Sequence, residues 1–405
     1  MNFSASRFTI NTGTITNITG GDVINLNGGS LGGQNLTISN CAGSNAIFAR
    51  GGVFNNINIT LQNLTTTNTL NLTAMTMGLQ NVTFDNTTNN QLNQTTSVID
   101  GLTVINHVAD VQTTINEGSM YINNMTSSVQ PFTFSGRSTR FSFYNSNITG
   151  PWNVGAGQPF IRGFDSSIIN TESNTISNGD QNYIIVSDGS SANIFSTNIS
   201  SMLGQVLTAS IVAGCALRDV TIDNQQTQCI TVSSGELAMT RVVIAMNDSV
   251  SSVLSLTNCE NYFNDLTIKG TYNNGIICSG ANTFNFNTGL IDSPRGYGML
   301  VATTMFDFNS LVVNSAAGDG IQIFSSSQGK LENVRGSGNG GFGINLGNRS
   351  GFHNVGGTNT ITGSAGDVNV GNIGAQTWGN IDTGNIAFTN DFPPKDPSQF
   401  VSISL

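Results

Sequence analysis

Charge is what this sequence has least of. Asp, Glu, Lys and Arg together make 9% of its 405 residues, against roughly a quarter in an ordinary soluble domain. Its only lysines are Lys269, Lys330 and Lys395, and the formal net charge is −10. An acidic chain without basic clusters is a poor partner for nucleic acid or an anionic membrane, so neither is expected. Its two histidines, His107 and His353, are far apart, which supports neither a zinc site nor a catalytic triad. No metal and no cofactor are expected. Long hydrophobic runs are missing as well, which excludes a membrane-spanning helix. Five cysteines, an odd number without a regular spacing, read as free and partly buried thiols. Cys215 and Cys278 fall at inward positions and Cys259 at a turn. Met1 leads directly into strand-like sequence without a signal-peptide pattern, so assembly in a cytoplasm is expected.

The residues that fill the gap are Gly, 47 of them, with Asn, Thr, Ser and Ile. Helix formers are few and β-branched residues abundant, which favours strands separated by turns. The 38% of apolar residues comes in short, evenly spread runs, which speaks against disorder. Asn-x-Ser/Thr triplets such as those at Asn58, Asn63 and Asn71 read as products of an Asn/Thr-rich repeat rather than as glycan acceptors.

That repeat has a period of 23 residues. Ile161, Ile184, Leu207, Ile230, Val253, Ile276, Met299, Ile321 and Ile344 follow one another at this spacing, with a single step of 22. Inside each unit the apolar residues stand two apart, the strand period. Residues 24–46 and 47–69 keep the register, while units between 70 and 160 run from about 20 to 28 residues, as solenoid insertions do. The pattern predicts an all-β chain, a single right-handed parallel β-helix over 1–370. Three short strands per 22–23-residue rung and about sixteen rungs give a rod of roughly 75 Å. Residues 371–405, with Trp378 and the Pro393-Pro394 break, are expected to cap the helix or to contact a neighbouring chain.

With three strands per turn and this rung length, the chain resembles the pectate-lyase-like superfamily, which includes pectate lyases, polygalacturonases and the shafts of bacteriophage tailspikes. The Asn/Gly/Ser/Thr-rich solenoid is most similar to a tailspike or fibre shaft. The resemblance implies a virion structural protein that presents a β-helical surface to a host-surface polysaccharide. It also implies a homotrimer, joined to other virion proteins at its N-terminal end. The alternatives are a polysaccharide-degrading tailspike, lyase or glycoside hydrolase, and a bacterial surface adhesin.

Polysaccharide cleavage needs paired carboxylates. Asp165 and Asp188 share one position on successive rungs, as an acid/base pair or as two turn aspartates. Asp219 and Asp265 fall in a second column with Val242 between them, roughly 10 Å apart, near the upper limit for an inverting pair. Arg218, Arg241 and Glu172 sit beside that column, as contacts for an acidic sugar or as a surface ion-pair network. Tyr183 and Tyr297, near the ends of their units, and Trp152 are candidates for stacking on sugar rings.

Overall fold

The structure, a computed structural model, describes residues 1–4, 7–107, 111–128, 132–151, 159–247, 252–280, 283–302, 304–325, 327–347, 350–356 and 359–370. Segment 371–405 and Trp152 lie outside the described residues. All regular structure in the described part is β-strand, paired in parallel as a β-solenoid of about 14 turns. No helix in it is long and apolar enough to cross a membrane. The chain divides into two compact units, Met1–Val206 and Leu207–Leu405.

In the first unit Ile24 pairs with Ile47 and Ile47 with Leu70, which is the 23-residue step read from the sequence. The step shortens to 20 where Leu70 meets Asn90 and lengthens to 27 where Phe134 meets Ile161. In the second unit Leu207, Ile230, Leu254, Ile276, Met299, Ile321 and Ile344 form one paired column. The sequence column had Val253 where the ladder has Leu254, so the steps around it are 24 and 22. Both side chains are fully buried, and hydrophobicity therefore could not choose between them.

One rung cannot bury its own inner side chains; the next rung does it. The inner columns are close-packed aromatic stacks in places. Phe134 meets Phe143 at 4.9 Å and Phe160 at 5.5 Å in the first unit, and Phe284 meets Phe263 at 5.3 Å and Phe308 at 5.2 Å in the second. All five cysteines are free and buried. Cys259, read from the sequence as a turn residue, is 0% exposed and bonds Asn261 Oδ1 inside the core. Its strand turns that corner with the side chain pointing inward.

Three short strands make up the rungs of Ile161–Phe164, Ile168–Glu172 and Thr175–Ser177 and of Ile184–Ser187, Ser191–Phe195 and Asn198–Ser200, while other rungs join theirs into longer strands. Asp22–Ser39, Ala42–Gln62 and Thr65–Asp85 each run through a corner without losing the ladder. The corner residue takes a left-handed conformation, φ 52° at Asn35, 58° at Asn58 and 53° at Asn81. Asn tolerates that conformation better than most residues with a side chain. Its amide then continues the stack outside the backbone: Asn58 Nδ2 donates to Asn35 Oδ1 at 2.8 Å, and Asn81 Nδ2 to Asn58 Oδ1 at 3.0 Å.

Candidate functional site

The first unit carries a concavity of about 940 Å³ on the outward face of one sheet. Its floor is a single outward column, paired rung to rung as Thr9, Gly32, Asn55, Gly78, Val98 and Tyr121. Two glycines in that column make the hollow. At Gly32 the floor is bare backbone. At Gly78 an added Cβ would lie 2.7 Å from Asn55 Oδ1, so the Asn55 amide occupies the space a side chain would fill.

Outward residues two places to either side form the walls, because side chains alternate along a strand. Val53 and Ile57 flank Asn55, and they are 36% and 37% exposed. Gln80, Asp100 and Asn123 continue the second wall on the following rungs. Asp100 Oδ1 accepts hydrogen bonds from Asn123 Nδ2 and Asn124 Nδ2, both at 2.9 Å. At the far end the ring of Tyr121 stacks on Tyr144, with centroids 4.9 Å apart and planes 26° apart. Asn56 adjoins the groove from the inside, 2% exposed, and neither atom of its amide has a hydrogen-bond partner.

The result is a trough with apolar contacts, neutral amides and an aromatic end. Among its lining residues Arg7 is the single cation and Asp100 the single carboxylate. Such a surface holds a ligand by ring stacking and amide hydrogen bonds. Sequence reasoning overlooked it. The signal was there as a glycine repeated 46 residues apart on an outward column, Gly32 and Gly78, with a tyrosine further along the same column.

The residues singled out from the sequence fall elsewhere, with one exception. Glu172 pairs with Tyr144 in the ladder and stands one rung beyond the tyrosine pair. Asp165 and Asp188 do lie on successive rungs, both at a corner with positive φ. Asp165 is bound by Arg137 at 2.5 Å, and Asp188 Oδ2 accepts from Ser187 Oγ at 2.9 Å. Those partners fit turn residues. Tyr183 does not offer its ring to solvent: it is fully buried, stacked 6.0 Å from Phe160, and burial drives its hydroxyl pKa upward. Tyr297 is half-buried, its N–H donating to Asn274 Oδ1 at 2.9 Å.

The column of Asp219 and Asp265 needs a register correction. Cys215 pairs with Leu237, a step of 22, so Arg241 rather than Val242 stands between the two carboxylates. Val242 points inward and is fully buried. Asp219, Arg241 and Asp265 all have positive φ, as Asn35, Asn58 and Asn81 do in the first unit. Arg241 Nε and Nη2 reach Asp219 at 2.5 and 2.8 Å, and Arg218 lies 3.8 Å away. The Arg241 hydrogen bond holds the Asp219 carboxyl below its usual range, with the charges of Arg241 and Arg218 assisting. This is an exposed ion-pair version of the asparagine ladder.

In the second unit Glu236 and Glu260 pair directly on neighbouring rungs, and Tyr262 donates to Glu260 Oε2 at 3.2 Å. Among the described residues no group of three or more His, Cys, Asp or Glu is gathered as a metal would require.

No family model matches the sequence, and no curated protein matches it. Among solved structures the chain is similar to the catalytic unit of a thermostable GH87 α-1,3-glucanase from Streptomyces thermodiastaticus strain HF3-3, at 13% identity and a TM-score of 0.25. That match covers 89% of this chain, which spans 64% of the length of the glucanase chain.

Proposed function

We propose that this protein is a glycan-binding β-solenoid, displayed on a virion as a fibre or spike, that takes a host-surface polysaccharide into the groove of its first unit. The observation that carries this reading is the outward column in which Gly32, Asn55 and Gly78 lead to the stacked Tyr121–Tyr144 pair. Pyranose rings have one apolar face and a rim of hydroxyls, which suits an aromatic end and amide-bearing walls. The virion setting, the attachment to other virion proteins and the homotrimer belong to the proposal. Their support is the charge-poor, Asn/Gly/Ser/Thr-rich composition of the solenoid. Binding to an array of bacterial and algal glycans tests the groove. Retention by the wild type and loss of most signal by Tyr121→Ala are expected; equal signal from both would remove the groove. Light scattering tests the trimer, which a monomer at micromolar concentration would overturn.

A second reading, cleavage of the polysaccharide, is favoured by Glu236 and Glu260. Neighbouring strands lie about 4.8 Å apart, close to the roughly 5–5.5 Å between the two carboxyls of a retaining glycosidase. New reducing ends that vanish in both Glu236→Gln and Glu260→Gln would establish it. Their appearance in neither wild type nor variants would leave binding alone.

A further inference from the structure

We infer that the glycan taken by the groove is uncharged, and that it lies across the rungs rather than along a strand. This rests on the glycan-binding reading above and narrows it. From Thr9 to Tyr121 the floor column crosses five rung steps, about 24 Å at the spacing of paired strands. The rung repeat is comparable to the length of one pyranose along a chain, so about five rings fill the column.

The central part of that path carries no charge. On three successive rungs the outward triplets are Ser30–Gly32–Gln34, Val53–Asn55–Ile57 and Thr76–Gly78–Gln80. Charged groups stand only toward the two ends. Arg7 is at the first rung, Asp100 is two rungs beyond Asn55, and Arg140 and Glu172 lie past Tyr121. Asp100 is already turned to the wall by its two amide donors. A glycan with a carboxylate on every ring would press charges against Val53, Ile57 and the Gly32 backbone with no cation to meet them. Taking an ion from water to such a surface without a partner is costly. The chain's net charge of −10 opposes the approach of a polyanion as well.

A neutral chain meets none of these obstacles. Its methyl or methine faces lie on Val53, Val98 and Tyr121, and its hydroxyls or N-acetyl groups reach the Asn55, Gln80 and Asn123 amides. Neutral hexose, 6-deoxyhexose and N-acetylhexosamine polymers are the classes that fit.

The test is calorimetric titration of the full chain with oligosaccharides of these classes, about five rings long, and with uronic-acid counterparts of equal length. Neutral ligands are expected to bind with affinity that changes less than about twofold between ~50 mM and ~500 mM salt. Uronic-acid counterparts are expected to bind at least about tenfold more weakly. Gly78→Leu fills the trough and displaces only the flexible Asn55 amide, and Tyr121→Ala removes the end platform; each is expected to weaken the neutral ligand about tenfold. Asn55→Ala, which adds no bulk, is the companion variant if Gly78→Leu does not fold. Tighter, salt-sensitive binding of the acidic ligands would overturn this inference and leave glycan binding standing. Binding of neither class would overturn both. Neutral binding unaffected by Gly78→Leu, Asn55→Ala and Tyr121→Ala would place the ligand elsewhere and overturn the groove.

Discussion

His107 shows how a single side chain in this fold sets a pH limit. It is 6% exposed, and its ring meets Phe132 edge-on at 5.6 Å. Desolvation lowers its pKa from 6.5, outweighing the Ile105 backbone and the Asp85 charge, which push the other way. The Thr87 N–H lies 3.3 Å from Nε2, a bond that needs this nitrogen unprotonated. The folded state therefore binds a proton less readily than the unfolded chain. The stabilisation is fully present above pH ~6.5 and is lost as pH falls through the lowered folded value. His107→Gln keeps an acceptor for Thr87 but does not titrate. Denaturation between pH ~7 and ~5 is expected to show wild-type stability falling relative to the variant. Parallel curves would mean that protonation of His107 is not coupled to folding.

At the scale of the element, the unit of construction is the corner column rather than the strand. Asn58 has φ 58° and an amide bonded on both sides, to Asn35 below and Asn81 above. Asn58→Ala removes both bonds and leaves a Cβ in a left-handed conformation, at an expected cost of about 2 kcal/mol. Asn58→Gly removes the same bonds but fits the backbone, so its cost should be smaller by about 1 kcal/mol. Urea denaturation of the two variants separates the contributions, and equal losses would show that backbone conformation plays no part. The same column explains some of the Asn-x-Thr triplets. Asn35, Asn58 and Asn81 take the corner, the next residue (Leu36, Ile59, Val82) points inward and is buried, and the threonine points out. The period was legible in the sequence because apolar residues must return to the inner face every turn. One-residue slips were not. Leu254 replaces Val253 and Arg241 replaces Val242 because insertion at one corner is absorbed at another, and adjacent apolar residues hide the shift. The groove was illegible for a different reason: it is built from what Gly32 and Gly78 lack, and a missing side chain gains meaning only when its cross-rung neighbours are known.

At the scale of the whole molecule, this architecture stores its reactive chemistry out of reach. The polar exterior is made mostly of neutral amides and hydroxyls, with few charges, while every cysteine lies in the core. Burial raises the thiol pKa of Cys229 and Cys259, and pushes that of Cys278 up to about 12. The thiolate is the reactive form, so Cys229, Cys259 and Cys278 are protected twice, by access and by ionisation, and Cys41 and Cys215 by burial. In a solenoid each turn is held by its neighbours, and exposing an inner residue requires opening paired rungs on both sides. Labelling with a thiol reagent at pH ~8 should therefore be slow in the native protein and complete once denaturant unfolds it. Mass spectrometry resolves Cys41 in the first unit from Cys215, Cys229, Cys259 and Cys278 in the second, so the opening of each unit is read separately. Cys278, bonded within the core to Asn261 and Thr304, is expected among the last to react. Rapid native labelling of Cys278 would mean that its rungs open without unfolding, and the stacking argument for that part of the solenoid would fail.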